Sequence, residues 1–266
     1  MKNLLVFITV NDFSMPLFLT KNIKDSIHID FCLFSEKNED MVRKINSKKF
    51  NYIYIRDPFT DERMSHKEIM LKIETIIKNK NNSYMVDRID KIEHIFFEDK
   101  WGQYCLFSDV MPETGLVNEK LFLKKKEEYI FKKRISSRGR GISFTFEGIK
   151  GKKSSYIYQK RLNIKKEYRV FILFEKIVEI VAVKNSKTEN TKVKVVGKEK
   201  SSKKLCDFIG TFSDRIKFDF VGIDIAEDGE GYFYVLEINR SCLFNAFYNQ
   251  TGINLAESFI KELLVR

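Results

Sequence analysis

Two carboxylates and an amide near the carboxy terminus stand where a buried strand should be uniformly apolar. The run Phe220-Val221-Gly222-Ile223-Asp224-Ile225 is followed, across Glu227-Asp228-Gly229-Glu230, by Tyr232-Phe233-Tyr234-Val235-Leu236-Glu237-Ile238-Asn239. Strand alternation puts Asp224 on one face of its strand, and Glu237 and Asn239, two apart, on one face of theirs. Pairing the two strands converges three oxygen donors. That set suits Mg²⁺, which takes one or two carboxylates and completes its shell with water and phosphate oxygens. The plain alternative is a surface hairpin with its polar residues facing out. The strongly apolar flanks weigh against it, because carboxylates at the depth of a strand core need a cation.

A second group is Tyr129-Ile130-Phe131-Lys132-Lys133-Arg134-Ile135-Ser136-Ser137-Arg138-Gly139-Arg140-Gly141-Ile142. Here a strand carrying Lys132 runs into a Ser/Gly loop with interleaved arginines. Glycines let backbone N–H groups approach phosphate oxygens, and the cations neutralise them. No GKS or GKT follows, so it is not a P-loop, and taken alone an ordinary basic turn explains it better. A third group is Tyr156-Ile157-Tyr158-Gln159-Lys160-Arg161-Leu162 with Glu167-Tyr168-Arg169 close behind. A strand leaving its sheet can offer backbone groups to an adenine, and a nearby carboxylate can take ribose hydroxyls. Glu167 and Arg169 also read as a surface ion pair of little consequence.

The elements that must position these residues follow from the apolar pattern. Leu4–Val10, Ile29–Phe34 and Tyr52–Ile55 read as strands, with helices near Met15–Lys24, Met41–Ser47 and Ser65–Asn79; Ser65 and Glu68 stand in capping-box register. Strands alternating with helices imply a parallel sheet. Val86–Ile95 crosses to the next unit, a helix spans Glu98–Ser108, and Pro112 forces an extended exit. A basic helix is expected over Asn118–Glu127. Strands then follow at Tyr129–Lys133, Ser155–Gln159, Tyr168–Phe174 and Lys176–Val183, with hairpin connections. Val193–Val196 reads as a loop or short strand, Ser201–Ile209 and Asn254–Leu264 as helices.

Composition sets the class. The 266 residues, 43% hydrophobic and 32% charged, can bury a substantial core, and the ordinary balance excludes a disordered chain. Four scattered cysteines and three isolated histidines give no zinc or disulfide framework and fit a reducing cytoplasm. The apolar start lacks a cleavage site and reads as a first strand, and no run approaches the ~20 residues that span a bilayer. The formal charge of +11 suits a nucleotide or other polyanion, or simply lysine-decorated faces.

In order and spacing the three groups together resemble the ATP-grasp superfamily: strand lysine, glycine loop, Gln-containing hinge, Glu-x-Arg, then Asp and Glu-x-Asn on the last two strands. The resemblance covers roughly Phe97 to Arg266. It is nearest to the carboxylate–amine ligases typified by ribosomal-protein glutamate ligase, whose ending is similar to Thr251-Gly252-Ile253-Asn254-Leu255-Ala256. It implies an α/β chain with α+β elements: a small parallel α/β pre-grasp domain (1–96), then two α+β subdomains clamping ATP, 97–158 with the lid loop and 159–266 with the metal hairpin. It also implies residue roles. Lys132 touches phosphate and adenine; Ser136, Ser137, Arg138, Gly139, Arg140 and Gly141 form the lid. Gln159, Lys160 and Leu162 line the adenine hinge, with Glu167 near the ribose. Asp224, Glu237 and Asn239 hold one or two Mg²⁺, with Mn²⁺ as a substitute. Arg169 and Arg240 face the γ-phosphate and an acyl phosphate, and Lys184 stands where an arginine is common. Lys133 replaces a frequent proline, and Arg240-Ser241-Cys242 a frequent Asn-Pro.

The reaction implied is attack of a substrate carboxylate on the γ-phosphorus, then displacement of phosphate by an amine to form an amide. The partners would be ATP, a small carboxylate, and an amine or peptide; since this superfamily commonly forms dimers or tetramers, the resemblance also admits a homo-oligomer without fixing its state. Two other readings stand beside it: a kinase of an inositol phosphate-like polyanion or an inactive ATP binder, and, ranked last, a basic nucleic-acid-binding protein whose affinity would fall steeply with salt.

Overall fold

A computed structural model describes residues 1–10, 12–56, 59, 63–89, 97–117, 128–136, 141–178, 180–184, 195–240, 242 and 244–266; at 180–182, 184, 195 and 196 it describes the backbone alone. The expected helix over Asn118–Glu127 and the lid residues Ser137, Arg138, Gly139 and Arg140 lie outside the described residues.

The amino-terminal sheet is parallel, in the order β2-β1-β3-β4, with β1 at Lys2–Ile8, β2 at Ile27–Leu33, β3 at Tyr52–Ile55 and β4 at Tyr84–Met85. Its central strands are apolar on both faces. Leu5, Phe7, Ile53 and Ile55 pack under α3 (Asn38–Asn46) and α4 (His66–Asn79), through Met41, Ile45, Ile69, Ile73 and Ile76. Leu4, Val6, Ile8, Tyr52 and Tyr54 pack against the last helix of the chain, α8 (Leu255–Leu264). Helices on both faces are what a parallel sheet requires. The Ser65 capping box forms as expected, Ser65 Oγ accepting from Glu68 N at 3.2 Å and Glu68 Oε2 from Ser65 N at 2.7 Å. The expected single helix over Met15–Lys24 is two, α1 (Met15–Phe18) and α2 (Lys21–Lys24), because extended Thr20 ends one and caps the other.

A second sheet, β5-β8-β6-β7, is antiparallel: β5 Thr114–Leu116, β6 Tyr129–Lys133, β7 Ile142–Ser143, β8 Tyr156–Lys160. The third runs β12-β11-β9-β13-β14, with β10 also paired to β9. Its strands are β9 (Ile164–Leu173), β10 (Lys176–Ile177), β11 (Ile180–Lys184), β12 (Val195–Lys200), β13 (Phe220–Asp228) and β14 (Phe233–Arg240). The β9–β10 turn puts both Phe174 (φ 47°) and Glu175 (φ 69°) in the left-handed region, the two-residue hairpin geometry that matches strand twist. The cost at Phe174 is offset by burial: its ring stacks on Phe259 of α8, centroids 5.6 Å apart. Glu199, Lys198 and Lys200 hide β12 from a hydrophobicity reading, yet charged residues are common on such an edge strand.

One face of the third sheet is core along β9, β13 and β14 over most of their length. Tyr168, Val170, Ile172, Val221, Ile223, Ile225, Val235 and Ile238 pack under Phe107 of α5 (Lys100–Phe107) and Leu205 and Ile209 of α6 (Lys203–Gly210). The opposite face is divided. Phe171, Leu173 and Phe220 join the α8 core, together with Phe247 of α7 (Asn245–Thr251). The remainder of that face is polar.

Candidate active site

The polar half-face is a cross-strand row. Asp224 of β13 pairs with Arg169 of β9 on one side and Glu237 of β14 on the other. In the next row Gly222 pairs with Asn239, and on the far side Ala226 pairs with Glu167. The sequence-expected donors Asp224, Glu237 and Asn239 therefore share a face. A bulge helps to aim them: Asp224 pairs with Glu237 but Ile225 with Val235, so Leu236 is an extra residue in β14.

Each member has a partner that sets its electrostatics. Arg169 grips Asp224 through two bonds, Nε to Oδ1 at 2.5 Å and Nη2 to Oδ2 at 2.8 Å. Burial works against the Arg169 charge, but Asp224 beside it prevails and raises its pKa above the ordinary value. Glu237 Oε1 lies 2.9 Å from Lys100 Nζ. Asn239 has a buried Nδ2 with no hydrogen-bond partner among the described residues. Gly222 leaves the space these groups need, since a Cβ there would lie 2.7 Å from Cys242 Sγ and 3.2 Å from Arg169 Nη1.

Across from this face, β6 presents Lys132. It is buried, and its Nζ donates to Gln159 Oε1 at 2.6 Å, while Gln159 Nε2 donates to Thr114 Oγ1 at 3.0 Å. Burial pushes the Lys132 ammonium down to about 8; Glu237, Glu167 and Asp224 pull it up, and Lys100 pushes it further down. That mutual influence places Lys132 within the field of the three carboxylates. Gln159 thus holds the lysine instead of lying open on a hinge, and Glu167 is buried on the same face as Arg169. Lys160, at the end of β8, is exposed, and Leu162 is half-buried in the connection between β8 and β9.

The described ends of the expected lid loop are well formed. Gly141 sits at φ +71°, where a Cβ would meet Lys133 Cβ at 2.7 Å, and its carbonyl accepts from Lys133 N at 2.8 Å. Ser136 O accepts from Lys100 Nζ at 2.7 Å, and Arg134 forms an ion pair with Asp99, the cap of α5. Lys100 thus bridges Ser136 and the Glu237 carboxylate. The sequence reading missed it, although Lys100 and Gln103 at i, i+3 lie on one helix face and could have been read as a polar pair.

Two expected residues stand apart. Arg240 follows Asn239 and so points to the other side of β14; it is buried, with Nε 3.1 Å from Glu98 Oε1 and Nη1 donating to Ile55 O at 3.0 Å and Asp87 Oδ2 at 3.3 Å. The structure does not bring it to the carboxylate row, because strand alternation overrides proximity in sequence. Lys184 pairs with Glu167 through the backbone, its side chain lying outside the described residues.

The donor set fits a hard divalent cation. Two carboxylates and an amide oxygen on one face suit Mg²⁺, and Asn239 Nδ2, without a partner among the described residues, is a donor fit for a phosphate oxygen. Among the described residues there is no group of three or more His, Cys, Asp or Glu side chains that could hold a metal ion by itself.

No protein-family model matches the chain, and no curated protein matches it by sequence. Solved structures do. The ATP-grasp ligase PsnB complexed with minimal precursor, Mg and ADP superposes with a TM-score of 0.68 at 12% identity, covering 99% of this chain and 96% of that one. D-cycloserine synthetase DcsG gives 0.71 at 14% identity, with 99% of each chain covered. The macrocyclase MdnB from Microcystis aeruginosa MRC gives 0.69 at 13%, again over 99% of each. Full-length agreement at such low identity is agreement in fold: this chain has the ATP-grasp fold.

Proposed function

We propose that the protein is an ATP-dependent carboxylate–amine ligase forming an amide bond, ADP and phosphate. The observation that carries this reading is the row Arg169–Asp224–Glu237 on adjacent strands, faced by the buried cation Lys132 and flanked by Lys100. Carboxylates suited to a metal and cations suited to a triphosphate thus meet at one sheet face, Arg169 from that face, Lys132 from β6 and Lys100 from α5. The fold agrees, since PsnB and its like are ligases, and PsnB was captured with precursor, Mg and ADP.

Glu237 and Asn239 would hold Mg²⁺, with Asp224 available if Arg169 turns to a phosphate. The ion would supply charge neutralisation along the triphosphate. Lys132, held by Gln159, would orient the nucleotide phosphates, and Lys100 would couple the lid loop, at Ser136, to the metal carboxylate. Arg169 would steady the oxygens of the transferring phosphoryl group and of the acyl phosphate. Catalysis would then be positioning and electrostatics, with the lid excluding the water that would hydrolyse the activated carboxylate. For the substrate, a peptide carboxylate joined to an amine of the same or another chain suits the basic protein, and the cytoplasm suits its free cysteines.

The test is phosphate release from Mg-ATP screened over amino acids and peptides, with mass spectrometry of the products. Loss of water between carboxylate and amine, with free phosphate, supports the ligase. Phosphate retained on the substrate would make the protein a kinase instead.

A further inference from the structure

Strand β14 carries Glu237 and Asn239 on the edge of its sheet, and an edge strand with a bulge is the least constrained place to hold a metal ligand. It is nevertheless pinned on both sides of the bulge. Val235 N donates to Val110 O at 2.8 Å. Beyond the bulge the amide of Gln103, 3% exposed, takes the place of a missing strand neighbour. Its Oε1 accepts from Ile238 N at 2.9 Å and its Nε2 donates to Ile238 O at 2.8 Å, the reciprocal pair that a residue of an antiparallel strand would make. Nε2 also donates to Phe97 O at 2.8 Å, so both amide donors and the acceptor are used.

We infer that Gln103 is a positioning residue for Glu237 and Asn239, an inference that rests on the function proposed above. Ile238 lies between the two ligands. Fixing both its backbone groups fixes the peptide planes on which the two side chains stand. The start of α5 also carries Asp99, paired with Arg134, and Lys100, which contacts Ser136 O and Glu237, so one helix start ties the metal strand to the end of β6. Gln103 touches no substrate; it acts through Ile238.

The test uses the full chain and ADP as the probe, measuring nucleotide affinity across a Mg²⁺ titration and, separately, in EDTA. Gln103→Met keeps the volume and removes the reciprocal pair. It is expected to raise the half-saturating Mg²⁺ concentration about 10- to 100-fold, the range typical of lost outer-shell support, while leaving metal-free ADP affinity unchanged. Ile73→Val, a truncation in the fully buried core under α4, controls for general destabilisation and should move neither. If Gln103→Met does not fold, Gln103→Glu, which keeps the acceptor for Ile238 N, should shift the Mg²⁺ requirement in the same direction. An unmoved Mg²⁺ requirement, or an equal fall in metal-free affinity, overturns the inference alone. Wild-type protein that binds ADP without regard to Mg²⁺ overturns the proposed function, and this inference with it.

Discussion

Replacing Lys132 by methionine should leave the ligand-free protein as stable as before, or more so, at neutral pH, while removing its response to nucleotide. The side chain is buried and its ammonium is depressed from the ordinary 10.5 to about 8, so at pH 7 the protein folds around a charge that its site disfavours. At about 1.4 kcal/mol per pH unit the shift corresponds to about 3 kcal/mol. Methionine removes that penalty but leaves Gln159 Oε1 without its 2.6 Å donor, a loss of about 1–3 kcal/mol. The difference leaves Lys132→Met more stable by about 1 kcal/mol, a rise of about 2–4 °C in Tm. The pH dependence gives the sharper check. An unfolded chain binds a proton at Lys132 up to its ordinary pKa and the folded chain only to about 8, so wild-type stability gains from pH 8 upward. The variant has no such gain, and at pH 10 it should be the less stable of the two. Thermal unfolding of both proteins at pH 7 and pH 10, with and without Mg-ADP, measures all of this. Wild type saturated at a hundredfold its Kd should gain about 2.7 kcal/mol and the variant nearly nothing. A variant several kcal/mol weaker at pH 7, or a difference between the proteins that ignores pH, would refute the reasoning.

Glu237→Gln preserves the shape of the side chain facing Lys100 and removes its charge; phosphate release from Mg-ATP should vanish while the unfolding curve stays in place. Arg56→Met should cost about 3–5 kcal/mol, read from the urea midpoint, because Arg56 is fully buried and its loss leaves the Asp12 carboxylate, 2.6 Å away, uncompensated. Removing both charges, with Asp12→Leu added, should restore most of that stability. Gly222→Ala forces a methyl against Cys242 Sγ and Arg169 Nη1, and should cost about 1–3 kcal/mol and reduce turnover with it.

Much of this protein is local and therefore legible in its sequence. Short apolar runs, read together with strand alternation, gave β1, β3, β6 and the β13–β14 hairpin, and the Ser65–Glu68 spacing gave the start of α4, because backbone geometry and capping depend on neighbours a few residues away. The same alternation put Glu237 and Asn239 on one face before any strand was paired. Pairing is where the sequence stops. That Arg169 would lie beside Asp224, 55 residues on, depends on β9 entering the sheet between β11 and β13. In the sequence little marks Lys100 and Gln103 out among the residues of their helix, and only the packing of α5 along the edge of β14 turned one toward Glu237 and the other onto Ile238. Arg240 shows the converse: adjacent in sequence to a metal-donor candidate, it is turned by strand alternation into a buried network with Glu98, Asp87 and Ile55. Residue types and their short-range order thus determined which groups could do chemistry, and long-range strand order decided which of them meet, since contacts between distant segments are written in no single stretch of chain.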